Sequence, residues 1–93
     1  MGKFRIEITD FAKLQIAKHY KSGNQSSIKK LEKIFLDLEE TPFEGAGKPE
    51  PLKGNLTGFW SRKINAKDRL IYSVNEDLVV VDVVSAMGHY NDK

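Results

Sequence analysis

A chain of 93 residues, 40% hydrophobic and 30% charged, has the length of one small domain, 1–93, expected to bury roughly 60–65% of its unfolded surface around a single core. It has no cysteine, which excludes disulfides, thiolate zinc sites and a thiol nucleophile and agrees with a reducing cytoplasm. The net charge of +2 is too small to imply nucleic acid by itself; the longest apolar run, Leu78 to Val81, is too short for a bilayer, and Lys3, Arg5 and Glu7 stand where a signal peptide would be apolar, so a cytoplasmic protein without membrane contact is expected.

Phe4-Arg5-Ile6-Glu7-Ile8 alternates apolar with polar, the pattern of a strand with one buried face. Thr9 or Asp10 then caps a first helix running to about Lys21, with Phe11, Leu14 and Ala17, flanked by Ile16 and Tyr20, as its apolar stripe. Ser22-Gly23-Asn24 breaks it, and Ser26 or Ser27 caps a second helix on which Ile28, Leu31, Ile34, Phe35 and Leu38 keep helical spacing until Thr41-Pro42. Both stripes are expected in the core. Residues 41–58 are rich in Gly and Pro and read as an ordered intradomain loop, the kind of segment on which sites are built. Three strand-like runs follow, Phe59 to Ile64, Arg69 to Val74 and Leu78 to Ser85, with joins short enough for antiparallel hairpins. The last is apolar on both faces and is expected to be central. The order β-α-α-β-β-β, with strands gathered after helices, predicts an α+β fold.

Between Lys48 and Arg69 stand six cations, Lys48, Lys53, Arg62, Lys63, Lys67 and Arg69, with Phe59 and Trp60 among them. This suits phosphate contact and base stacking. A half-exposed strand with cations outside and aromatics inside looks the same in one dimension, and on this feature alone that plainer reading is preferred. Glu50 is held between Pro49 and Pro51, whose rings restrict the local backbone and aim the carboxylate. Near Lys48 and Lys53 it should stay ionised and able to accept the proton of a ribose 2′-hydroxyl. His89, with a reference pKa of about 6.5, could return a proton to a leaving 5′-oxygen. His19, among Lys18, Tyr20 and Lys21, is expected on the helix surface without a catalytic role. Arg69 opens a strand, where a fixed guanidinium could grip two phosphate oxygens, and Lys53 would add a second positive charge. Arg62 and Lys63 are expected to touch the RNA backbone. Each of these residues, taken singly, is also an ordinary surface charge. Gly45-Ala46-Gly47-Lys48 lacks the span and the Ser or Thr of a Walker loop, two distant histidines make a poor metal site, and no serine sits in a nucleophile elbow. No metal or cofactor is expected.

Thr41-Pro42-Phe43-Glu44-Gly45, Gly47-Lys48-Pro49-Glu50-Pro51-Leu52-Lys53, Asn55-Leu56, Gly58-Phe59-Trp60-Ser61-Arg62, Arg69-Leu70-Ile71-Tyr72 and His89-Tyr90 together resemble the YoeB (Txe) toxins of the RelE superfamily. The likeness is dense from Thr41 to Tyr72 and rests only on helix pattern before that. It implies two N-terminal helices packed on one face of a twisted, mostly antiparallel sheet of four to five strands. It also implies a ribosome-dependent mRNA interferase that works without metal and leaves 2′,3′-cyclic phosphate and 5′-hydroxyl ends. Glu50 would then be the general base and His89 the general acid. Lys53 and Arg69 would stabilise the phosphate, Tyr90 would position substrate, and Lys48 would add binding charge. The implied partners are the ribosome and mRNA, a YefM/Axe-like cognate antitoxin whose C-terminal segment wraps the toxin, and a second copy in a homodimer. Lys63 replaces a second Arg common in relatives, and Asn91-Asp92-Lys93 continue beyond the usual His-Tyr end. A gyrase-directed toxin of the ParE type and a catalytically silent binding module share the fold and stand as the alternatives.

Overall fold

The computed structural model describes residues 4–45, 49–54, 57–78 and 80–86. Its elements are β1 (Arg5–Ile8), α1 (Asp10–Ser22), α2 (Gln25–Glu40), β2 (Glu50–Pro51), β3 (Phe59–Lys63), β4 (Arg69–Asn75) and β5 (Val80–Ser85). The strands form one sheet in the order β1-β5-β4-β3-β2. β1 runs parallel to β5 and every other pair is antiparallel. The predicted α+β architecture holds, with a two-residue strand inside the Gly/Pro-rich loop as the fifth member. β5 lies inside the sheet as expected. Its described part begins at Val80, because Leu78 sits in the preceding turn, 70% exposed.

Local chemistry sets the helix ends. The Thr9 side chain accepts from the Ala12 amide and caps α1, while Gly23, at φ 73°, ends it in a left-handed conformation that costs glycine little. The cap of α2 is Asn24, which accepts from the Ser27 amide, and not Ser26 or Ser27. Ser27 is instead buried, and its hydroxyl accepts from the Asn65 amide group at 2.8 Å. Leu31, Ile34 and Leu38 of α2 pack with Ile64, Leu70, Tyr72, Val81 and Val83 of the sheet to make the core.

The first helix departs from expectation. Its inward face carries Ala12, Ile16 and His19, whereas Phe11 and Leu14 are 61% and 66% exposed and Tyr20 and Ala17 are exposed as well. The stripe richest in large apolar side chains is therefore not the one that packs. His19, predicted at the surface, is only 3% exposed, and its Nε2 donates to the Ala86 carbonyl at 2.7 Å. A backbone group at the end of the central strand makes that buried ring compatible with the core.

Candidate active site

Strand alternation sorts the sheet into two faces. Ile64, Leu70 and Tyr72 lie in the core, and Trp60 and Val74 pack against it. Phe59, Ser61 and Lys63 of β3, with Arg69, Ile71 and Ser73 of β4, therefore project from the face opposite the helices. Glu50 pairs with Ser61, which pairs with Ile71; Lys63 pairs with Arg69 one row further on. Residues directly opposite in an antiparallel pair share a face, with Cβ atoms roughly 4.5–5.5 Å apart and diagonal neighbours roughly 7–8 Å apart. Three strands thus bring the Glu50 carboxylate beside the Lys63 ammonium and the Arg69 guanidinium, within the reach of one phosphodiester. Glu50 and Lys63 are exposed and Arg69 is half-buried.

Lys53 follows the last rung of β2 by two residues and is exposed at the sheet edge, where the register does not assign it a face. Lys48, His89 and Tyr90 lie outside the described residues. Between Glu50 and Ile71, the fully buried Ser61 hydroxyl has no hydrogen-bond partner among the described residues.

Arg62, expected to meet the RNA backbone, is 0% exposed and does not reach the open face. It alternates with Lys63 and so shares the helix-side face of Trp60. Its Nη2 donates to the carbonyls of Thr41 and Glu44 at 2.8 and 2.9 Å, its Nε donates to the Tyr72 hydroxyl at 3.1 Å, and its Nη1 lies 3.8 Å from Asp37. The Tyr72 hydroxyl in turn donates to the Pro42 carbonyl at 2.7 Å. Arg62 and Tyr72 thereby hold the turn at Thr41–Gly45 from which the chain departs toward Glu50. The plainer reading of this strand, cations outside and aromatics inside, fails at the same residue.

Burial pushes the Tyr72 phenol above the ordinary tyrosine range, and the hydrogen bond and charge of Arg62 pull it part of the way back. Since the folded value exceeds the unfolded one, stability from this group is fully present below about pH 10 and is lost as the pH rises through the folded value. Tyr72→Phe should cost about 1–3 kcal/mol near pH 8, where it leaves the Pro42 carbonyl without its donor. The gap to wild type should narrow in urea unfolding at about pH 11.

The open face is not an enclosed pocket. A depression of about 610 Å³ lies elsewhere, lined by Lys18, His19 and Ser22 of α1 and by Asn65 to Asp68, and no predicted site residue borders it. Catalysis on an open face fits a large substrate that supplies the other wall. Among the described residues no cluster of three or more His, Asp or Glu side chains could hold a metal ion.

Comparison with known proteins agrees with this geometry. A family model described as the YoeB-like toxin of bacterial type II toxin–antitoxin systems matches residues 11–90. Toxin YoeB of Escherichia coli O6:H1 is 46% identical over 63 residues, which span 68% of this chain and 75% of the relative. A YoeB dimer from Staphylococcus aureus superimposes with a TM-score of 0.78 at 31% identity, covering 95% of this chain and 99% of that one. The YoeB–YefM complex from the same organism gives 0.75 at 33% identity, covering 94% and 98%. The chain belongs to the YoeB-like toxin family of bacterial type II toxin–antitoxin systems.

Proposed function

We propose that this toxin is a ribosome-dependent endoribonuclease that cuts translated mRNA. The observation that supports it best is the shared face of Glu50, Lys63 and Arg69, drawn from three neighbouring strands. RNA carries its own nucleophile, so the protein must move protons and stabilise charge. Glu50 takes the proton of the 2′-hydroxyl as that oxygen attacks phosphorus. The bond to the 5′-oxygen breaks, and His89 protonates the leaving group, giving 2′,3′-cyclic phosphate and 5′-hydroxyl ends. The phosphorane carries more negative charge than the diester, so Arg69 and Lys53 stabilise the transition state more than the bound substrate. Lys63 and Lys48 hold the flanking backbone, and Tyr90 positions the substrate. Arg62 has no part in contacting RNA; it braces the turn that precedes Glu50.

Primer extension on a message translated in the presence of the toxin tests this reading. Breaks in register with codons, ending in 2′,3′-cyclic phosphate, are the expected result. An intact message accompanied by DNA damage would move the assignment to gyrase, and arrest of synthesis without either would leave a binding module.

The second part of the proposal is control by a YefM-like antitoxin, as in the S. aureus complex, with homodimer formation as in the S. aureus dimer. Phe11 and Leu14 share the outward face of α1, and Leu36 on α2 is 67% exposed. Apolar side chains left in water on both helices suit a partner segment that covers them. Leu14→Asp should therefore weaken inhibition by the antitoxin at least about tenfold while leaving cleavage intact. Titrating the antitoxin into a cleavage reaction gives both numbers.

A further inference from the structure

The end of β5 is held in an unusual way. β1 pairs with β5 as far as Ile8 opposite Val83, and Thr9 then donates its amide to the Val83 carbonyl and its hydroxyl to the Val84 carbonyl as the chain turns into α1. On the other side a register shift falls between Ile71 and Tyr72, which pair with Ser85 and Val83 and leave Val84 as the extra residue. Such bulges re-aim a strand. Beyond it, no strand flanks β5 on the β1 side. Two side chains of α1 take that place: the Ala86 amide donates to Gln15 Oε1 at 2.6 Å, and His19 Nε2 donates to the Ala86 carbonyl at 2.7 Å. Gln15 and His19 are one helical turn apart and so reach the same residue. Ala86 is 0% exposed.

Satisfying two buried backbone groups would be sufficient reason for these contacts. Their position argues for more. Ala86 is three residues before His89, about 10 Å of extended chain, so the orientation of its peptide groups sets the direction in which that segment leaves the sheet. A direct grip on both the amide and the carbonyl fixes that orientation where a single bond would leave rotation free. We propose that Gln15 and His19 are positioning residues that orient the segment carrying His89 and Tyr90, a role that rests on the nuclease reading above. Neither touches the RNA. They act through Ala86.

The test compares Gln15→Met, which keeps the volume and removes the acceptor, with Gln15→Glu, which keeps an acceptor oxygen. Single-turnover cleavage on programmed ribosomes should fall about tenfold or more in the Met variant at saturating ribosome, with half-saturation within about twofold of wild type, and should largely recover in the Glu variant. His19→Leu against His19→Gln repeats the comparison from the carbonyl side, in case one pair fails to fold. Amide hydrogen exchange at Ala86 supplies a readout independent of cleavage: faster in Gln15→Met, restored in Gln15→Glu. Wild-type cleavage by Gln15→Met, or equal loss in Gln15→Glu, overturns the positioning role. If wild type itself cuts nothing, the nuclease reading falls separately, and unchanged exchange at Ala86 in Gln15→Met overturns the grip on the strand end.

Discussion

Glu50→Gln is expected to lower the single-turnover cleavage rate by about 10²–10⁴-fold, the contribution typical of a positioned general base. The substitution preserves length, shape and most hydrogen bonding, and removes only the ability to take a proton. Glu50 is exposed on a two-residue edge strand, so the variant should melt within about 3 °C of wild type. Its affinity for ribosomes should be nearly unchanged, because the flanking cations Lys63 and Arg69 remain. Arg69→Lys makes an informative companion. It keeps the charge but loses the planar fork, so a fall in rate at saturating ribosome assigns Arg69 to the transition state, and a fall only in affinity assigns it to docking. Cleavage by Glu50→Gln at the wild-type rate would remove the carboxylate from the chemistry and transfer the base role to another group.

The open face was partly legible in the sequence because strand alternation is strict. Once Trp60 is taken as inward, the parity of β3 places Ser61 and Lys63 outward and Arg62 inward. The expectation that Arg62 meets RNA ignored this parity and followed charge, on the rule that arginine seeks water. That rule fails where a turn offers several carbonyls to a buried guanidinium. The first helix misled for the opposite reason. Its buried positions, Ala12, Ile16 and His19, recur at helical spacing as well as Phe11 and Leu14 do, yet include a polar ring whose partner lies 67 residues away in sequence. No local pattern records a contact of that range. The short strand at Glu50–Pro51 was visible only as a stiff segment between two prolines, and its partner on β3 depends on how the intervening loop closes.

Replacing Arg62 with Met should destabilise the fold by about 3–5 kcal/mol, the usual cost of removing one partner from a buried polar network. The substituted chain leaves the carbonyls of Thr41 and Glu44 without their shared donor and Asp37 without its cation. The net stability of such a domain is only about 5–15 kcal/mol, so the melting temperature should drop roughly 15–30 °C. Arg62→Lys should lose less, since one ammonium can serve some of these acceptors, but its three donors do not reproduce the fork. The surrounding turn tolerates little rearrangement. Gly45 has φ 122°, and a Cβ there would lie 2.6 Å from an Asp37 carboxylate oxygen and 3.1 Å from Arg62 Nη1. Gly45→Ala should therefore share the Arg62 phenotype in milder form. Because this turn opens the loop that delivers Glu50, Arg62→Met should also cleave more slowly at temperatures where it remains folded, and a thermal melt paired with cleavage at about 10 °C separates the two effects. A melting point for Arg62→Met close to wild type would mean that the turn is held by other contacts and that the buried guanidinium is dispensable to the fold.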